Sequence, residues 1–257
     1  MKNLLFNQVD ELTGIITINR PEVLNALNLE TLNELYNHLN RIKNKIKVLI
    51  ITGKGTKGFI AGADIKEMNT LSSDEFFDFL ILGQRITNII EDNNWISIAA
   101  VNGYALGGGA EIALSCDLIF ASINAKIGLP EVKLGIIPGF GGTVRLSKKI
   151  PLNKAKEMIF KGDIINADQA FELGIVNRIF TSENLLEETL LNVKIIQKNS
   201  LHAVLAAKES IHKCNLLGQD KNLVFERSLC LDCFNNSERK EGMNAFIDKR
   251  TPNFNQL

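Results

Sequence analysis

The stretch Ile96-Ser-Ile-Ala-Ala-Val101 followed by Asn102-Gly-Tyr-Ala-Leu-Gly107-Gly108-Gly109-Ala110-Glu111 limits what this chain can fold into more than any other. A short continuous apolar run reads as a strand buried on both faces. The glycines then open an apolar helical pattern that ends near Cys116. Glycines at such a turn let the chain bend sharply and leave the backbone N–H groups of a helix N-terminus uncovered. A helix end of this kind holds negative charge developing on an oxygen, through free donors and the helix dipole. Glu111 falls in the first turn of that helix. A second glutamate, Glu131, lies in Gly128-Leu-Pro-Glu131, just ahead of Gly135-Ile-Ile-Pro-Gly139-Phe-Gly141-Gly142-Thr143. Two carboxylates from different loops can divide proton transfers beside one oxygen.

Around this centre, strands and helices alternate. Leu4 to Val9 and Gly14 to Ile18 read as strands joined by a hairpin. A helix starts near Asn28, a good N-cap, with Leu29, Leu32, Leu35, Leu39, Ile42 and Ile46 on one face. Val48 to Ile51 is a buried strand, and a helical region covers about Asp64 to Asp92. Leu118 to Ala121 is another strand. Pro151 to Phe160 and Asn166 to Leu173 are helices, each followed by a glycine, and Ile175 to Phe180 is a strand. From Ser182 onward the pattern is helical. The order argues an α/β fold with a helical C-terminal portion.

Composition removes several classes of function. Twenty-nine basic and twenty-nine acidic side chains cancel, which points to neither a nucleic-acid nor a membrane partner. The N-terminus lacks a signal or transit pattern and no apolar run approaches a bilayer's width, so a cytoplasmic protein is expected. Cys230 and Cys233 have redox or zinc spacing, but they sit in a helical pattern with no second pair or nearby histidine. His38, His202 and His212 also fall in helical patterns away from the glycine-rich segments. No metal site is expected, and chemistry must run on carboxylates and backbone.

Gly53-Lys-Gly-Thr-Lys-Gly58 fits the spacing of a dinucleotide loop and follows a strand. The third glycine should open a helix, yet Phe59-Ile-Ala-Gly-Ala continues as a loop. The acids about twenty residues on, Asp74, Glu75 and Asp78, sit in a helical pattern rather than at a strand end. The loop reads as a turn that feeds Ala61 to Lys66, and NAD is the poorer reading.

The segment Phe59-Ile-Ala61-Gly62-Ala63-Asp64-Ile65-Lys66-Glu67-Met68, taken with the two glutamate segments, resembles the enoyl-CoA hydratase (crotonase) family in order and spacing. The resemblance extends from Ile15-Thr-Ile-Asn-Arg20-Pro21 and Leu24-Asn-Ala-Leu-Asn28 to Ala245-Phe-Ile-Asp-Lys-Arg250. It implies a crotonase-like spiral of repeated ββα units over residues 1–198, with a C-terminal helical region, 199–257, that builds a trimer or a hexamer of paired trimers. No internal repeat is visible in the residues themselves.

The resemblance further implies reversible syn-addition of water to a trans-2-enoyl-CoA, giving a (3S)-3-hydroxyacyl-CoA in fatty acid or short-chain acyl-CoA metabolism. No cofactor takes part beyond the coenzyme A of the substrate. The backbone N–H groups of Ala63 and Gly108 would form the oxyanion hole. Glu111 would orient and deprotonate water while Glu131 carries the proton exchanged at C2. Ala26, Leu27, Ala61, Asp64, Ile65 and Lys66 match positions along coenzyme A, and Lys249 near the C-terminus could reach a neighbour's ligand in a trimer. Lys54 and Lys57 read as solvated loop lysines. Leu129 and Val144 stand where glutamine is usual, and Trp95-Ile-Ser97 replaces a lysine–proline stretch. A same-fold isomerase or thioester hydrolase stays open, as does a non-catalytic acyl-CoA- or RNA-binding subunit.

Overall fold

The computed structural model describes residues 2–213 and 218–254. One compact unit ends at Thr189 and a second begins at Leu190. In the first, β1 (Leu4–Gln8) and β2 (Thr13–Ile18) pair as the expected antiparallel hairpin. Helix α1 (Leu29–Ile42) starts where the Asn28 side chain accepts a hydrogen bond from the Thr31 N–H. Leu32, Leu35, Leu39 and Ile42 are buried, whereas Leu29, expected on that face, is exposed.

The chain then makes three similar passes. In the first, β3 (Val48–Gly53) joins a larger sheet and β4 (Gly58–Ile60) a smaller one, followed by α2 (Ile65–Met68) and α3 (Ser73–Asp92). The second has β5 (Ile96–Val101), β6 (Tyr104–Leu106) and α4 (Gly108–Ser115). The third has β7 (Leu118–Ser122), β8 (Lys126–Gly128), a 3-10 turn over Glu131–Leu134, then α5 (Gly142–Lys149) and α6 (Leu152–Lys161). β9 (Ile164–Asn166), α7 (Ala167–Glu172) and β10 (Arg178–Phe180) complete the unit.

The larger sheet has the order β1-β2-β3-β5-β7-β10 and the smaller one β4-β6-β8-β9. From β2 onward every pairing in the larger sheet is parallel, as are β4 with β6 and β6 with β8. Each pass therefore advances one position in both sheets, which is the expected spiral. β3 and β5 are buried along their whole length, as their unbroken apolar runs require.

Three details depart from the sequence reading. The helical region from Asp64 is broken at Ser72, whose hydroxyl and Glu75 form a capping box that restarts the chain as α3. β10 begins only at Arg178, because the Ile175 and Val176 N–H groups both bond back to the Ala170 carbonyl at the end of α7. β4, β6, β8 and β9 fall in stretches with no strand signal, and each has only three residues.

Helix α8 (Leu185–Gln197) starts in the first unit and continues into the second, where α9 (Leu201–Lys213), α10 (Gln219–Asn235) and α11 (Ser237–Ile247) follow. α9 packs on α10, and His202 Nε2 meets Asp232 Oδ2 at 2.8 Å. Neither helix has a buried residue. Cys230 and Cys233 are helical as expected and free, while Cys214 lies outside the described residues. Among the described residues no helix is long and apolar enough to cross a membrane.

Candidate active site

Gly107, with φ of 49°, turns the chain from β6 into α4 in a conformation that favours glycine. It has a second reason to lack a side chain, because a Cβ there would stand 3.2 Å from Glu131 Oε1. One helical turn on, Glu111 is 2% exposed. Its Oε1 accepts the N–H groups of Phe140 and Gly142, both at 2.7 Å. A Cβ on Gly142 would come within 3.0 Å of that oxygen, so this approach also needs glycine. Glu111 Oε2 makes no hydrogen bond among the described residues.

Glu131 follows Pro130 at the start of the 3-10 turn after β8 and is 9% exposed. Neither of its carboxyl oxygens has a hydrogen-bond partner among the described residues. An ionised carboxylate left so in a dry site is costly, and burial pushes the Glu131 carboxyl up. Burial also raises Glu111, to about 7, with repulsion from Glu131 adding to it. The Gly142 and Phe140 N–H groups and the Arg145 guanidinium pull the other way. Two carboxyls whose pKa values burial raises thus face one cleft.

Among the described residues, the N–H groups of Ala63 and Gly108 have no hydrogen-bond partner. Gly62, with φ of 106°, turns the chain between β4 and Ala63. On either side of Ala63 the backbone is pinned: Leu27 N–H donates to the Gly62 carbonyl and Asp64 N–H to the Leu27 carbonyl, each at 2.8 Å. Gly108 lies in the first turn of α4, where an N–H has no intrahelical acceptor. Two fixed, unpaired donors on one cleft can bind an oxygen that gains charge.

The cleft brings together Ala61, Ala63, Ile65, Gly108, Glu111 and Glu131. It does not include the other expected coenzyme A positions. Leu27 is fully buried in the core and both its backbone polar groups are used on the Gly62–Asp64 strap. Asp64 accepts from Arg20 Nη2 at 3.2 Å, and Arg20 also donates to the Ala26 carbonyl, so Asp64 ties two segments together. Ala26 is half-buried, and Lys54, Lys57, Lys66 and Lys249 are exposed.

The glycine loop after β3 is a turn. The Asn25 amide donates to the Lys54 and Gly58 carbonyls, and the Asn102 amide to those of Gly53 and Gly55. It presents carbonyls inward to two side chains, and Gly58 enters a strand rather than a helix. Sequence reasoning missed the apolar wall of the cleft, where Met68, Phe76, Phe79, Leu80, Ile137 and Phe140 come from α2, α3 and the loop before α5. The helical spacing of Phe76, Phe79 and Leu80 was a signal for it. Sequence reasoning also missed Arg145, which is 6% exposed and joins Glu91 to the Phe140 carbonyl. A buried arginine shows no periodicity of its own.

A sequence profile of the enoyl-CoA hydratase/isomerase family matches residues 11–257. The chain is 41% identical over 256 residues, 98% of each sequence, to a protein named crotonyl-CoA hydratase from Syntrophomonas wolfei. It is 44% identical to a short-chain-enoyl-CoA hydratase from Clostridium acetobutylicum, over 92% of each. The crystal structure of an enoyl-CoA hydratase from Bacillus anthracis superposes with a TM-score of 0.95 at 35% identity, covering 99% of this chain and 100% of that one. On these matches the chain belongs to the enoyl-CoA hydratase/isomerase family.

Proposed function

We propose that this chain is a hydro-lyase that adds water reversibly across the C2–C3 bond of a trans-2-enoyl-CoA. The observation that carries the reading is the pairing of two buried glutamates with two unpaired N–H donors on one cleft. Addition of water at C3 sends charge to the thioester oxygen, where the Ala63 and Gly108 N–H groups receive it. One such donor is worth roughly 2.7–4 kcal/mol in known oxyanion holes. Glu111 takes a proton from water through its unbonded Oε2, and Glu131, whose protonated form burial favours, supplies the proton at C2. By microscopic reversibility the two glutamates exchange roles in the reverse reaction. No bound cofactor enters this chemistry.

The nucleotide end of coenzyme A lies along Ala26 and Lys66, outside the apolar cleft, with Lys249 supplied by a neighbouring copy. In the same reading residues 1–198 carry the site and 199–257 assemble the chain into a trimer or paired trimers. The exposed Leu223, Val224, Leu231 and Phe234 of α10 support this, because water is a poor neighbour for so much apolar surface.

The test is purified protein with crotonyl-CoA in the presence of a chelator and without NAD. The expected product is 3-hydroxybutyryl-CoA. Release of free coenzyme A thiol instead would mark a hydrolase, and conversion of a 3-enoyl-CoA without hydration an isomerase.

A further inference from the structure

Helix α3 carries Gln84, Thr87, Asn88 and Glu91 at i, i+3, i+4 and i+7, a single polar stripe. All four side chains end on the segment from Gly139 to Arg145. Gln84 Nε2 donates to the Gly139 carbonyl at 2.9 Å. Thr87 Oγ1 and Arg145 Nη1 both donate to the Phe140 carbonyl, each at 2.9 Å. Arg145 is in turn held by Asn88 Oδ1 and Glu91 Oε2, each at 2.8 Å. Gly83 opens the stripe, and a Cβ there would run into the Phe140 ring.

The other side of the same loop serves Glu111. The peptide joining Gly139 and Phe140 has its C=O on Gln84 and its N–H on Glu111 Oε1. The Phe140 carbonyl is held by Thr87 and Arg145, and two residues on the Gly142 N–H reaches the same Oε1, its own peptide carbonyl, that of Gly141, accepting the Arg145 N–H at 2.9 Å. Such chains polarise one another, so Gln84 on the Gly139 carbonyl makes the Phe140 N–H a stronger donor, while Thr87 and Arg145 fix the position of the following peptide.

We infer that Gln84, Thr87 and Arg145 are positioning residues for Glu111: they fix the loop so that both N–H groups stay on Oε1 and leave Oε2 to the reacting water. The inference rests on Glu111 being the base of the proposed hydration. Both N–H bonds favour the charged carboxylate, so a loosened loop makes Glu111 keep its proton to higher pH. The charged groups acting on Glu111 are Glu131, from the turn after β8, and Arg145, from α5, which is itself paired with Glu91 of α3.

Thr87→Val, Gln84→Met and Arg145→Lys test this. Glu111 ionisation is followed in substrate-free protein by carboxyl-carbon NMR, assigned with Glu111→Gln, and the pH profile of crotonyl-CoA hydration is measured alongside. The expected result is a Glu111 midpoint higher by about half a pH unit or more. The acidic limb of the rate profile should follow it, with KM changed less than about twofold. If Arg145→Lys does not fold, the other two variants decide. An unchanged midpoint in folded Thr87→Val and Gln84→Met overturns the inference, whatever their melting temperatures. Because the NMR readout needs no turnover, a shifted midpoint in a protein that never hydrates crotonyl-CoA would sink the function and not the positioning.

Discussion

At Glu111 the fold accepts a cost in stability for chemistry. Its carboxyl ionises near 7 in the folded protein and near 4.5 when unfolded. Between those values the folded state binds more protons, so stability falls as pH rises from about 4.5 to about 7. Glu131, also raised, adds to the same trend. Gln at position 111 keeps the oxygen that accepts from Phe140 and Gly142 but has no charge to bury. Glu111→Gln should therefore be more stable than wild type at pH 8, by on the order of 1–3 kcal/mol, with the difference gone at pH 4. Denaturant unfolding at the two pH values measures it. Glu111 and Glu131 were legible in the sequence because glycines flank both. That Glu131 lacks hydrogen-bond partners among the described residues was not, since it depends on which groups fail to reach it.

Among the elements, the α4 N-terminus carries the tightest packing. A Cβ on Gly109 would run into the Ile60 carbonyl oxygen of β4, and neither backbone can yield without parting the smaller sheet from the helix. Gly174 also has positive φ, 81°, but open space around it. Gly174→Ala should cost about 1–2 kcal/mol of backbone strain, whereas Gly109→Ala should cost more than about 3 kcal/mol or prevent folding. Comparable midpoints for the two in urea would contradict this packing. The long elements were readable because α1, α3, β3 and β5 repeat their pattern over enough residues to show a period. The smaller sheet was not. β4, β6 and β8 have three residues each, too few to display a strand's alternation, and parallel pairing with strands far along the chain defines them. The repeat lies in the backbone path rather than in residue type. Asp64 and Leu27 stood in a recognisable motif, yet their observed contacts are with Arg20 and Gly62, partners that only the folded chain reveals.

For the whole molecule, the apolar surface left on α10 and α11 predicts assembly. Phe246 and Ile247 are 85% and 74% exposed. Light scattering at micromolar concentration should give a trimer or hexamer, and a monomer would contradict the proposal. The turn at Gly53–Gly58 predicts that NAD leaves the melting temperature unchanged. An acyl-CoA at a hundred times its dissociation constant should stabilise the protein by about 2.7 kcal/mol. A shift with NAD alone would overturn that reading of the loop.

The central claim is that two glutamates and two backbone donors act on one thioester, and separate Glu111→Gln and Glu131→Gln variants test it most directly. Positioned acid–base groups contribute about 10²–10⁴-fold, and groups that act on one water do not add. Each variant is expected to bind a saturated acyl-CoA nearly as wild type does, because Ala63 and Gly108 remain. Each should hydrate crotonyl-CoA at least about a hundredfold more slowly. A near-wild-type rate in either variant would remove that glutamate from the mechanism, and full rates in both would contradict the account.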